Sequence, residues 1–523
     1  MHRLSRCITI TLVVAPACNA EPQRVPAAAG TVSTPPSAAT PTTVRAASDA
    51  TNKGTCNGYY LDHWNDPSNI PPIGSDQVFR LSQAFPQVLP EHDERPWLAF
   101  NPFIGDEATV AEQSEKYLSA VLGYILAGNI GATPSESDFT LCNNPVRPWF
   151  HVPWMDANPG KGREYRHGLT RELSPTPQKL APTQKYSESA WAVGFYNARG
   201  AFVIGQIFTG EAPDAVKVPT AALTFPEGTV VGKALFTSAS VADVPYLAGA
   251  PTWTANVMPA PCGGRFTGTA QDPRTNQAVP CSRRLTELRL AQFDVAVVDE
   301  RAPLKWVFGT FLYNGEVDAT RGWGGLEPVG LMWGNDPGLE RMGGDPGEND
   351  PVKRGLTSPD KVHQSMMFTP RFPAWLKKDL GCAGRLDGPI DNPSSSCMSC
   401  HATASVPLVV EANAADPCDG ANIDARRVVK APIFGNNQCS DSGIDSIWFR
   451  NVPASTSIDD ASICKGQKWV SLDYSLQIGE ALTNYLINQG RPVEKISGSD
   501  GPFSKRAPLS PAQFPVEHLE TNR

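Results

Sequence analysis

The sequence predicts an α+β protein: a β-rich, sandwich-like central domain followed by a mostly irregular and helical C-terminal region. Three observations carry this expectation. Short apolar or alternating runs cluster between residues 149 and 316, which is the pattern of strands. Forty-nine prolines and forty-four glycines in 523 residues favour turns over long helices. Clear helical periodicity occurs once before the strand runs and once near the end of the chain.

The first segment reads as an export signal, residues 1–17. Arg3 and Arg6 form a positive start, Cys7 to Val14 an apolar stretch, and Ala15-Pro16-Ala17-Cys18 follows. Ala15 and Ala17 suit ordinary signal cleavage. Ala17-Cys18 equally suits a bacterial lipobox, with cleavage before Cys18 and a lipid anchor on it. Residues 18–53 are rich in Pro, Ala, Thr and Ser and read as a disordered tether. No later apolar run is long enough to span a bilayer. The expected location is the periplasm of a bacterium, soluble or as a membrane-anchored lipoprotein.

The second segment, 54–320, is expected to be the β-rich domain with an N-terminal helix. Val110 to Ile130 places Val110, Tyr117, Leu118, Val121, Leu122 and Ile125 at helical spacing and ends at Gly128 and Gly131. Strands are expected at 190–196, 201–205, 229–236, 293–298 and 306–313. The third segment, 321–523, is irregular until a helix from Tyr474 to Gln489. Its apolar face is Leu476, Ile478, Ala481, Leu482, Tyr485 and Leu486, and Gly490 and Pro492 follow. The net charge is −8 without a basic patch, which argues against a nucleic-acid partner.

The chemistry concentrates in Cys397-Met398-Ser399-Cys400-His401. Cys-x-x-Cys-His is the attachment pattern of c-type haem. Two thiols three residues apart each add across one porphyrin vinyl group, and the next imidazole reaches the iron. A redox dithiol or a plain disulfide is the competing reading of the cysteine pair. A zinc site would need a second ligand pair, which the sequence lacks.

From Cys382 to Gln489 the chain resembles the c-type cytochromes. The resemblance implies one covalent haem c (heme c), with Cys397, Cys400 and His401 binding it and His401 as the proximal iron ligand. It also implies a terminal helix packed near the haem, and attachment on the outer side of the bacterial inner membrane. That compartment permits disulfides. Eight cysteines remain outside the signal and the motif: Cys56, Cys142, Cys262, Cys281, Cys382, Cys418, Cys439 and Cys464. Proximity in the chain suggests Cys262 with Cys281 and Cys418 with Cys439.

The chain departs from the small cytochromes at the sixth ligand. No methionine follows Met398, and the only later histidine is His518. The distal ligand must come from upstream or be an unusual one, or the site is open to a small molecule. Met366 or Met367 rank first, followed by His363, Met332 and Met342. A firm ligand favours electron transfer; an open site favours oxygen or peroxide chemistry.

Two other clusters are rich in reactive types. His151 and His167 are candidate distal acid–base groups or ligands, and Arg163, Arg166 and Arg171 candidate partners of haem propionates. Trp448-Phe449-Arg450-Asn451 suits a pocket edge. Gly344 to Asp350 offers carboxylates for calcium, although its spacing is not that of an EF-hand. Nucleotide-binding and common hydrolase motifs are absent. The functional expectation is an exported monohaem cytochrome passing electrons to or from a periplasmic redox partner protein. The alternatives are a haem enzyme acting on a small-molecule oxidant such as peroxide or oxygen, and a haem-based redox or gas sensor.

Overall fold

Helix α1 spans Glu107–Leu126 and begins where Asp106 accepts a hydrogen bond from Thr109 N at 2.8 Å. This is an ordinary N-cap. Its inner face is Tyr117, Leu118, Val121, Tyr124 and Ile125, as the periodicity predicts. It ends before residue 130 because Gly128 adopts a φ of +76°, a conformation that interrupts a right-handed helix.

A computed structural model describes residues 82–130, 144–155, 169–209, 216–262, 268–316, 322–335, 365–368, 371–377, 380–382, 385–406, 408–410, 427–430, 439–440, 443–444, 449, 451–456, 469–488 and 493–495. All of them belong to one unit, Gly54–Arg523.

The strands are β1 (Thr170–Arg171), β2 (Ala190–Tyr196), β3 (Val230–Thr237), β4 (Thr252–Val257), β5 (Thr269–Gln271), β6 (Ala278–Pro280), β7 (Arg284–Val298), β8 (Trp306–Tyr313), β9 (Leu326–Met332) and β10 (Ser365–Met367). Eight of them form one sheet in the order β1-β2-β3-β7-β8-β9-β10, with β4 on the first half of β7. Every pairing in it is antiparallel. β5 and β6 form a separate hairpin, closed by the Cys262–Cys281 disulfide that chain proximity suggested. Cys382 is also disulfide-bonded.

The β-rich character is present, but as one large sheet among the described residues. β2 and β8 are buried at every position, so both faces of the sheet are covered. That explains why their sequences read as continuous apolar runs. One face carries α1. A Cβ on Gly309 would lie 2.1 Å from Leu118 Cδ2, so this close approach requires glycine. Tyr117 of α1 also donates to Asp299 Oδ2 at 3.0 Å.

One expected strand is a helix. Residues 201–205 lie in α2, Ala198–Ile207, capped by Asn197, whose side chain accepts from Gly200 N. A short apolar run fits a buried helix as well as a strand. Here the Asn197 cap decides the outcome.

The opposite face of the sheet carries the C-terminal segment. Leu386, Met398, Ile478 and Leu482 share one hydrophobic cluster with Phe308 and Met332. Each such fully buried side chain stabilises by about 1.5–3 kcal/mol. The terminal helix runs Leu476–Asn488, close to its expected span. Ser405–Val406 pairs antiparallel with Val470–Ser471 and joins the start of this helix to the segment that carries Cys397–His401. No helix among the described residues is long and apolar enough to cross a membrane.

Candidate haem-attachment site

Residues Cys397–His401 form a single short helix. A five-residue helix does not persist alone, and local bonds hold this one. Ser396 Oγ accepts from Ser399 N at 3.1 Å, and Ser399 Oγ accepts from Ser396 N at 2.8 Å. This reciprocal pair is a capping box. Cys397 N donates to Leu386 O at 2.9 Å, and Ser396 Oγ donates to Asn335 Oδ1 at 3.2 Å. The helix therefore starts at a fixed point against the preceding loop. Both motif thiols are free.

His401 is held in one tautomer. Its Nδ1 lies 2.8 Å from Tyr474 O. A carbonyl only accepts, so Nδ1 carries the proton and Nε2 keeps its lone pair. Burial pushes the imidazole down to about 4, so the ring is neutral at pH 7. This is the state a metal-ligating histidine requires, with the other ring nitrogen anchored to a carbonyl. Asp473 and Tyr474 present that carbonyl with φ values of +50° and +67°. Such residues cost roughly 1–3 kcal/mol each and need support. Asp473 accepts from Phe225 N at 2.6 Å and Ser455 N at 3.2 Å, while Tyr474 OH donates to Val452 O. The Phe308 ring lies 4.6 Å from the His401 ring.

The facing wall is the sheet. Residues paired across an antiparallel ladder share a face. Register therefore places Gly194, Lys233, Asp294, Thr310 and Gly330 in one row across β2, β3, β7, β8 and β9. Phe308 is on the same face, two residues from Thr310. Lys233 Nζ lies 3.3 Å from Glu172 Oε1. Thr310 Oγ1 donates to Asp294 Oδ1 at 2.9 Å. Gln292 Nε2 lies 2.9 Å from both Asp294 oxygens and 2.5 Å from Asp391 Oδ2. Gln292 Oε1 accepts from Ile390 N at 2.9 Å. One amide thus ties the sheet to the loop that precedes the motif. Asp387, on that loop, accepts from Ser395 Oγ at 2.8 Å and Gly388 N at 3.0 Å.

These charges set the local electrostatics. Burial, then the Asp391 charge, pushes Asp294 up to about 8 against the opposing pull of Lys233. Burial and Asp391 likewise raise Asp387. Burial alone would lower Lys233, but Glu172, Asp391 and Asp294 outweigh it and hold the ammonium charged. Burial, then Asp387, raises both motif thiols. Redox-active dithiols have lowered thiol pKa values; this site does the reverse. Cys397, Cys400, His401, Lys233, Asp294 and Asp391 all keep partial accessible surface.

The structure separates the two methionines on β10. Met367 pairs with Gly330, and a Cβ there would lie 2.9 Å from Met367 Sδ and 3.0 Å from Leu386 Cδ1. Met367 therefore lies on the motif side of the sheet. Met366 pairs with Leu331 on the α1 side. Met332 pairs with Phe308 and is fully buried. His151 is buried at the β2 edge, its Nδ1 3.0 Å from Gly194 O, and burial lowers it to about 4. Arg171 pairs with Trp191 on the face away from Lys233, and its guanidinium lies 5.6 Å from that ring. Phe449 packs under Arg385 at 4.3 Å, and Asn451 Oδ1 accepts from Asn335 N at 2.6 Å. His167, Arg163, Arg166, His363, Met342, Trp448, Arg450, Cys418 and the 344–350 turn lie outside the described residues, and nothing of the Cys439 side chain is described.

The sequence reading missed Lys233, Asp294, Gln292, Asp387, Asp391 and Tyr474. A signal existed for the first two: each interrupts an otherwise apolar strand run. Charged residues are seldom buried without a partner. Among the described residues no group of three or more His, Cys, Asp or Glu side chains is arranged to hold a bare metal ion; a c-type haem asks for something different, one imidazole for the iron and two thiols for the porphyrin vinyl groups. No family model, curated protein or solved structure matches the chain.

Proposed function

We propose that the chain is an exported monohaem c-type cytochrome that transfers single electrons to or from a periplasmic redox partner protein. Cys397 and Cys400 hold the porphyrin covalently, and His401 Nε2 ligates the iron. The observation that carries the reading is the His401 Nδ1 bond to Tyr474 O, 2.8 Å. It leaves Nε2 unprotonated, with its lone pair available to a metal. The bound haem supplies the one-electron couple. The protein's own residues set its surroundings: Phe308 and the terminal-helix segment enclose the imidazole, and the sheet face supplies charge. Met367 is the proposed sixth ligand, since it lies on the motif side of the sheet and Met366 does not. The N-terminal signal pattern and the Cys262–Cys281 disulfide support export, with Cys18 left at the new N-terminus, lipidated in the lipobox reading.

The test is the absorption spectrum of dithionite-reduced protein, matured in a strain that attaches c-type haem, before and after carbon monoxide. An unchanged low-spin spectrum in the wild type, with carbon monoxide binding in Met367→Ala, supports electron transfer and Met367 ligation. A carbon monoxide shift in the wild type rejects a firm sixth ligand and favours the peroxide or oxygen enzyme.

A further inference from the structure

The Asp294–Gln292–Asp391 bridge is an unusual construction. Two carboxyl groups from distant parts of the chain, one on β7 and one on the loop before the motif, share a single amide nitrogen. An amide NH₂ has two hydrogens to donate. Three carboxylate oxygens lie within 2.9 Å of it, so both carboxyls cannot be fully satisfied as anions. Thr310 serves one Asp294 oxygen only.

We infer that the Asp294–Gln292–Asp391 bridge binds a proton when a haem held at Cys397, Cys400 and His401 is reduced. This rests on the haem reading above and deepens it: the site would exchange a proton together with its electron.

The groups facing Asp294 define the balance. Lys233 comes from β3, Glu172 from the end of β1, Thr310 from β8, Gln292 from β7, and Asp387 and Asp391 from the loop. Cys397, Cys400 and His401 come from the motif helix. Lys233 is already paired with Glu172 at 3.3 Å, which leaves Asp294 and Asp391 to compete for its remaining field. Two close carboxyls in such surroundings do not both ionise. Burial and Asp391 place Asp294 near pH 8, where a small change of charge nearby decides its state. A reduced iron centre carries one positive charge fewer than an oxidised one; Cys397 senses the charges of Asp294 and Asp391, and His401 that of Asp391, and among buried groups such a difference is screened less than at the surface. The electron enters from the redox partner, or from an electrode in the test. The proton enters from solvent and forms an O–H bond on a carboxylate oxygen. No other bond forms or breaks.

The sign follows. Proton uptake on reduction makes the potential fall as pH rises, between the carboxyl pKa of the oxidised state and that of the reduced state. Full coupling of one proton per electron corresponds to about 59 mV for each tenfold change in proton activity.

The experiment is a spectroelectrochemical titration of the haem-loaded protein across roughly two pH units on either side of 8. The expected result is a potential that falls through this window in the wild type and is flat there in Asp294→Asn. A flat wild-type profile, or the wild-type slope retained in both Asp294→Asn and Asp391→Asn, overturns the inference. A reduced-minus-oxidised infrared difference spectrum of the wild type gives a variant-free check. A new protonated-carboxyl band that shifts in D₂O supports it, and no carboxyl change refutes it. Failure of the haem reading is distinguishable: the denatured chain would then carry no haem at all, and the inference would fall with it.

Discussion

Removing the Lys233 charge should destabilise the protein substantially. Lys233→Met keeps the length and the apolar stem but removes the ammonium that lies 3.3 Å from Glu172 Oε1. The two side chains of the pair are 28% and 26% exposed, between a surface pair and a buried one. Surface pairs contribute about 0.2–1 kcal/mol, while breaking a fully buried pair costs about 3–5 kcal/mol. Discounted for this exposure, the loss should be about 2–3 kcal/mol. Removing the partner as well, in Lys233→Met with Glu172→Gln, should recover part of that loss, because the two charges interact directly. The assay is urea denaturation of the wild type, both single variants and the double variant. The pH dependence gives a second check. Lys233 has a raised pKa, so its contribution is fully present below the unfolded value of about 10.4 and is lost only as pH rises through the higher folded value. Asp294 ionises near pH 8 opposite Lys233, so the penalty of the single variant should be larger at about pH 9 than at pH 7. A loss below about 0.5 kcal/mol, or no recovery in the double variant, would refute the view that these charges hold one another.

Other outcomes follow from the same geometry. Ser396→Ala removes half of the capping box and should lower stability by about 1 kcal/mol, read as a fall in the denaturation midpoint. Gly309→Ala forces a Cβ to within 2.1 Å of Leu118 Cδ2 and should cost about 1–3 kcal/mol by overpacking; the compensating pair with Leu118→Ala should be less destabilised than the sum of its members. His151 is buried and lowered to about 4, whereas an unfolded histidine titrates near 6.5. Its neutral form is therefore favourable above pH 6.5, and stability should fall by about 3 kcal/mol as pH drops from there towards 4. The His151→Gln variant should lose that part of the acid sensitivity, as measured by denaturation at several pH values.

Legibility from sequence tracked how local each feature is. α1 and the terminal helix were readable because their apolar residues repeat within one segment. β2 and β8 were readable because both faces of the sheet are covered, which makes their runs continuously apolar. Residues 201–205 were misread because five apolar residues do not distinguish a strand from a buried helix, and the deciding residue, Asn197, lies outside them. β4, β9 and the first half of β7 escaped notice because Thr, Asn, Glu and Arg dilute their apolar content. The Cys-x-x-Cys-His pattern was legible because its residues are contiguous. The rest of the site was not. Tyr474 O reaches His401 across 73 positions, and Gln292 joins Asp391 across 99. Strand register brings Lys233 beside Asp294, and no short pattern encodes register between distant strands.

The most direct test of the account is the mass of the purified chain after maturation in a strain that attaches c-type haem, measured under denaturing conditions. The account predicts a chain heavier by one haem, and a chain without that increment in Cys397→Ala/Cys400→Ala. A wild-type chain of unmodified mass, or haem that remains covalently bound in the double variant, would contradict it.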